Sequence, residues 1–134
     1  VVSEKLQAMV MLGLANSRMK DFFDIWILAR ECEFDGLILG EAIRATFDRR
    51  STKLNAEIPQ SLTETFSADP VKSRQWYAFT SKNLRKREDK GLSEIVGFLK
   101  GFLEAPLMAA GKGEKFNFIW PAAGPWREKR GKPK

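Results

Sequence analysis

The chain has 134 residues, a formal charge of +6, one cysteine and no histidine. A length of that order suits one domain, and a 43% hydrophobic content is enough to bury a core, so disorder is excluded as the default. A lone cysteine and no histidine remove disulfides, cysteine-based metal sites, most zinc sites and the usual catalytic triads. No run of eighteen apolar residues exists, so no membrane span is expected. The cytoplasm is the natural compartment. The chain opens Val1-Val2-Ser3-Glu4-Lys5 with no initiator Met or signal pattern, which is read as an internal start within a longer product.

The spacing predicts a first helix over Glu4 to Leu14, with Ser3 as its cap and Glu4 in its first turn. Asn16-Ser17 reads as a stop and restart. A second helix is expected from Arg18 to Glu31, its apolar face made by Met19, Phe22, Phe23, Trp26 and Ile27 at spacings of three and four. Asp35 caps a third, Gly36 to Arg49, with Ile38 or Leu39, Ala42, Ile43, Thr46 and Phe47 inward. Pro59 opens a short helix through Phe66. Asp69-Pro70 is a strong start signal for a helix that carries Val71, Trp76, Tyr77 and Phe79 to about Leu84. A last helix covers Leu92 to about Leu103, ended or kinked by Pro106. Phe116 to Trp120 alternates weakly and is bounded by glycine and proline, as a short extended segment laying aromatics on the helices would be. The fold class is all-α: five to six helices in a bundle or orthogonal array, residues 1–110, followed by an aromatic and then irregular basic tail, residues 111–134.

The charge is unevenly placed. Lys82 to Lys90 carries five cations against two acids, and Arg127 to Lys134 five against one, so the remainder is slightly acidic. Such runs are usually solvated; their functional alternative is contact with RNA or DNA phosphates. The aromatics Trp76, Tyr77 and Phe79 fit a core better than a base-stacking platform.

The stretch from Asn16 to Trp26 is the most informative. Asp21 and Asp24 lie three apart and project from one helical side, with Lys20 four before Asp24 and Arg18 just upstream. The bland account is an exposed face held by a Lys20–Asp24 ion pair worth a few tenths of a kcal/mol. Against it, Asp24 interrupts a dense run of large apolar residues, and a carboxylate at such an edge is partly buried and needs a cation or a metal. Lys5 shares a helical side with Val2, Met9 and Leu12. It either snorkels to solvent or points into a cleft and grips a phosphate as a point charge.

Two motifs carry a resemblance. Glu4-Lys5-Leu6-Gln7-Ala8-Met9-Val10, followed by Asn16-Ser17-Arg18-Met19-Lys20-Asp21-Phe22-Phe23-Asp24-Ile25-Trp26, resembles the carboxy-terminal half of the AbiEii/AbiGii-type nucleotidyltransferases. These are toxins of bacterial abortive-infection and type IV toxin–antitoxin systems. The family pattern is Glu-Lys on one helix and Arg- or Lys-Asp-x-x-Asp on the next. The stretches Ala42 to Arg50 and Pro59…Leu62…Phe66 resemble one subgroup, and the likeness spans about Val1 to Leu103. It implies that Lys5, with Lys20 and Arg18, meets the phosphates of a nucleoside triphosphate (NTP). It also implies that Asp24 or Asp21 completes the catalytic site as a base, a metal-shell ligand or an orienter of the lysine, and Asp24 fills the second Asp slot. Mg2+ and NTP are the implied cofactors of the whole protein. The implied partners are an upstream nucleotidyltransferase domain of the same chain, a cognate antitoxin and an acceptor that is an RNA end such as a tRNA, or a protein. The family holds its metal with a Gly-Ser turn and an Asp-x-Asp pair on a strand. Neither occurs in these residues, so no metal site is expected in them and the chain alone is expected to be inactive. Two other readings stay open: a self-contained helical protein-interaction module, and, ranked last, a simple nucleic-acid-binding helical domain.

Overall fold

A computed structural model describes residues 1–82 and 91–129. Among them, the helices are α1 (Val2–Leu12), α2 (Met19–Glu31), α3 (Gly36–Arg49), α4 (Glu64–Ser67), α5 (Pro70–Lys82) and α6 (Leu92–Gly111). Single 3-10 turns cover Gly13–Ala15 and Gln60–Leu62. Three very short strands, β1 (Phe34–Asp35), β2 (Phe118–Trp120) and β3 (Arg127–Glu128), form an antiparallel sheet in the order β1-β2-β3. The architecture is largely all-α.

The twenty-residue α6 is the most apolar helix because it is the middle of the core. It buries Ile95, Val96, Leu99, Phe102, Leu103 and Leu107, and packs on α2, α3, α4 and α5. The other helices lay one stripe each upon it: Phe22, Ile25, Trp26 and Ala29 from α2, and Leu39, Ile43 and Phe47 from α3. Leu6 and Met9 of α1 and Phe66 of α4 complete this cluster. Asp35 caps α3 by accepting from the Leu37 amide at 2.9 Å, and Asp69 receives the Val71 amide at 2.8 Å at the head of α5. Gly36 is required where it stands, since a Cβ there would fall 2.6 Å from the carbonyl oxygen of Phe116 and 2.8 Å from that of Phe118.

Several expectations need correction. Ser3 does not cap α1. It lies within the first turn, buried, and its hydroxyl meets that of Thr46 on α3 at 2.9 Å, so the hydroxyl joins two helices. Tyr77 is 73% exposed while Trp76 is buried, because neighbours on a helix point about 100° apart. Val71, Leu12 and Ile38 are also exposed, and Leu39 rather than Ile38 faces inward. The basic carboxy-terminal segment is not irregular throughout, since Arg127 and Glu128 pair with Ile119 and Phe118. Its remaining residues from 130, and all of Lys82 to Lys90 except Lys82, lie outside the described residues, as does the expected end of α5 at Leu84.

Pro106 does not end α6, which continues to Gly111. A proline inside a helix deprives the carbonyl four residues earlier of its donor. That carbonyl is Phe102, and the indole Nε1 of Trp126 donates to it at 2.8 Å. The tertiary fold thus supplies the bond that the sequence removes. The C-terminal end of α2 is closed the same way: the Ala29 carbonyl accepts Trp120 Nε1 at 2.7 Å and the Ala123 amide at 3.0 Å. Trp126→Phe is expected to cost about 1–2 kcal/mol, because it leaves a helix carbonyl without its donor. Pro106→Ala is expected to recover part of that loss in the double variant by restoring an amide. Urea unfolding of the four proteins of this cycle checks it, and strictly additive costs would remove the compensation.

Lys129 Nζ reaches Asp35 Oδ1 at 2.9 Å, tying β3 to the head of α3. The hydrogen bond from Lys129, then that from the Leu37 amide, hold the Asp35 carboxyl below its ordinary range despite some desolvation. A lowered carboxyl contributes stability above its unfolded pKa of about 3.9 and loses it as pH falls through the folded value. Asp35→Asn is therefore expected to flatten the stability curve below about pH 4, read by urea midpoints. An unchanged acid limb would remove Asp35 from the account.

Candidate active site

Lys5 stands in the first half of α1. Its Nζ donates to Asp21 Oδ1 at 3.0 Å and lies 3.3 Å from Asp24 Oδ2. Both aspartates come from α2, where a spacing of three sets them one above the other. Arg18 Nε is 2.9 Å from Asp21 Oδ2, and Lys20 Nζ donates to Asp24 Oδ2 at 2.7 Å. All five residues singled out in the sequence thus form one network: Lys5 spans the two carboxylates, and Arg18 and Lys20 close its outer ends.

The network is graded in depth. Asp21 is only 5% exposed, Lys5 22% and Asp24 26%, while Arg18 and Lys20 reach solvent. Asp24 is partly buried, as its apolar flanks suggest. Asp21 is the deeper of the two, and that was not read from the sequence. The signal was there: Asp21 precedes Ile25 by four, and Ile25 is wholly buried. Arg18 approaches Asp21 Oδ2 out of line, so that oxygen gains charge compensation but no directed hydrogen bond. Burial pulls the Lys5 ammonium down, yet its hydrogen bonds to Asp21 and Asp24 outweigh burial and raise it above its ordinary value. A raised lysine contributes stability below its unfolded pKa, about 10.4, and loses it only as pH climbs through the folded value. Lys5 is therefore a cation at neutral pH.

Two surface depressions flank the network. One, of about 300 Å3, is lined by Val1, Glu4, Lys5, Ala8, Arg18 and Arg50. The other, of about 590 Å3, lies beside Arg18, Lys20 and Asp21 and runs to Gln75 and Phe79 on α5. Arg50 is a member of the site that the sequence reading missed. Its signal was only the Arg49-Arg50 pair after α3, indistinguishable from a helix end.

Magnesium does not fit these five residues. Each carboxylate is already faced by two cations, and among the described residues no group of three metal-ligating side chains converges.

The sequence matches, over residues 1–104, the family model described as nucleotidyl transferase AbiEii toxin, type IV TA system. The chain belongs to the AbiEii family. No curated protein and no solved structure matches it. The matched stretch holds α1 to α5 and the first thirteen residues of α6, and so every member of the network. Among the described residues, no helix of this AbiEii chain is long and apolar enough to cross a membrane.

Cys32, the lone thiol, is exposed and lies just past α2, away from this network. Cys32→Ser is expected to change stability by no more than about 0.5 kcal/mol and to leave growth inhibition by the toxin intact. Lost toxicity in a folded variant would contradict that.

Proposed function

We propose that this chain supplies the helical half of a nucleotidyl-transfer site, moving a nucleotide from an NTP to an acceptor such as an RNA end. The convergence of Lys5, Arg18, Lys20, Asp21 and Asp24 at an open edge of the fold carries this reading. In it, Lys5 presents a fixed positive charge to the triphosphate, with Arg18 and Lys20 as more mobile outer contacts. Asp24 and Asp21 keep the Lys5 ammonium charged and aimed. Preorganised charge of this kind is where phosphoryl-type transfer draws its stabilisation. Metal-binding carboxylates and magnesium belong, on this reading, to a strand domain of the complete toxin. The protein partner is the cognate antitoxin of a type IV system.

A direct test is adenylate or uridylate transfer from radiolabelled NTP to total tRNA. The complete toxin is expected to transfer in a magnesium-dependent way and the 134-residue chain to show none. Robust transfer by the chain alone would overturn the division of labour.

The second reading is a helical interaction module without catalysis. One observation favours it: a groove of about 830 Å3 between the start of α1, β1 and α3, lined by Val2, Phe34, Leu39 and the exposed Ile38. The two readings part at Asp24→Asn, which an interaction module tolerates and a transfer site does not.

A further inference from the structure

We propose that Arg50, clamped beside Lys5 by Gln7 and Thr52, is a phosphate-binding guanidinium. The inference rests on the nucleotidyl-transfer reading and adds to it a residue outside the Lys-Asp network.

Around the smaller depression and the adjoining network stand five side-chain cations, Lys5, Arg18, Lys20, Arg49 and Arg50, and three carboxylates, Glu4, Asp21 and Asp24, with the Val1 ammonium 3.3 Å from Glu4 Oε1. Lys5 is shared by both aspartates, Arg18 faces Asp21 and Lys20 faces Asp24. Arg49 Nη2 lies 3.6 Å from Glu4 Oε2. Arg50 alone of the five has no carboxylate within ion-pair distance among the described residues. Each acid has a closer cation than Arg50, whose charge reaches Glu4 only at longer range, and Arg50 stands on the wall of a depression that Lys5 and Arg18 also line.

Arg50 Nη1 donates to Gln7 Oε1 at 2.9 Å. Gln7 is buried, and its own Nε2 donates to Thr52 Oγ1 at 2.8 Å. That hydroxyl donates in turn to the Arg50 carbonyl at 3.2 Å. The ring is closed: Arg50 side chain to Gln7, Gln7 to Thr52, Thr52 to the Arg50 backbone. It spends one of five guanidinium N–H donors, on a neutral acceptor, and leaves four in a fixed fork. A freely solvated arginine pays rotamer entropy when it binds; one already clamped loses less. A planar fork with unspent donors and no carboxylate in ion-pair contact matches phosphate oxygens bidentately. A volume of about 300 Å3 is at the small end of ligand sites, enough for a phosphate group and too small for a whole nucleotide.

The phosphate comes from one of two sources, the triphosphate of the NTP or the backbone of an RNA acceptor. The test titrates the 134-residue chain, by amide NMR and calorimetry, with inorganic tripolyphosphate and separately with a short single-stranded RNA. Arg50→Gln is expected to weaken binding of at least one probe about tenfold or more, the scale of a lost charged fork. Arg50→Lys is expected to recover only part, since a point charge lacks the fork. Gln7→Leu, which keeps the charge and frees the guanidinium, is expected to lie between. Loss confined to tripolyphosphate assigns the phosphate to the nucleotide, loss confined to RNA assigns it to the acceptor, and loss of both marks a shared site. Unchanged affinity of a folded Arg50→Gln chain for both probes, or no binding of either by the unaltered chain, overturns the proposal. Its failure is separable from that of the transfer reading. Binding lost in Arg18→Gln but kept in Arg50→Gln removes Arg50 alone, and a toxic Asp24→Asn protein removes transfer while leaving Arg50 an anion site.

Discussion

If the transfer reading holds, Asp24→Asn in the toxin is expected to abolish growth inhibition and to lower nucleotide transfer by about 10²-fold or more, the scale of losing one preorganised electrostatic contact. The substitution is nearly isosteric and the side chain is one-quarter exposed, so its stability cost is expected to stay near 1 kcal/mol or below. The effect arises at Lys5. Without the Asp24 carboxylate, the ammonium keeps its bond to Asp21 but loses the contact that centres it between the two aspartates. Lys20 loses its partner as well. Lys5→Met is a less clean test. It strands Asp21, which is nearly wholly buried and would face only the out-of-line Arg18. That is expected to cost about 1–3 kcal/mol on its own, so Lys5→Met must be read beside an unfolding curve. A fully toxic, folded Asp24→Asn protein would end the transfer reading and favour the interaction module.

The second large effect is structural. Trp120→Ala is expected to destabilise the chain by about 3–5 kcal/mol, as aromatic truncations in cores do. Trp120 packs against Phe98, Phe102 and Trp126, with ring centroids 4.7–5.9 Å apart, and is almost fully buried. Its indole also closes α2 through the Ala29 carbonyl. Trp120→Phe keeps the ring contacts and removes that donor, while the Ala123 amide still serves the same oxygen. Its cost is expected at the lower end of about 1–3 kcal/mol. Urea midpoints with unchanged slopes measure both. A cost under about 1 kcal/mol for the alanine variant would show that the aromatic cluster is not part of the core.

What could be read from the sequence were features settled by neighbours in the chain. Asp35 before Gly36 and Asp69 before Pro70 fix helix starts because their side chains reach an amide two residues on. The Lys-Asp-x-x-Asp pattern placed Lys20, Asp21 and Asp24 together because helical spacing alone does so. Lys5 joined them through the family likeness, since nothing local says that α1 packs its lysine onto α2. The failures share a cause: a partner distant in sequence. Pro106 reads as a helix end until Trp126 answers it, and Ser3 reads as a cap until Thr46 claims its hydroxyl. Arg50 reads as a helix terminus until Gln7, 43 positions away, holds it. The two-residue strands β1 and β3 are too short to have a pattern.

The two indoles have a consequence for how the chain is made. Translation delivers α2 and then α6 before Trp120 and Trp126, which stand 91 and 24 positions beyond the carbonyls they serve. A nascent chain that has just completed α6 therefore carries a helix interrupted by proline and another with a bare end, both of them in the centre of the fold. The Lys5 network, held between α1 and α2, can assemble early, while the core beneath it stays unlatched until residue 126 leaves the ribosome. For a toxin, the interval between a formed active edge and a finished fold is a window in which a chaperone, a protease or a partner can decide its fate.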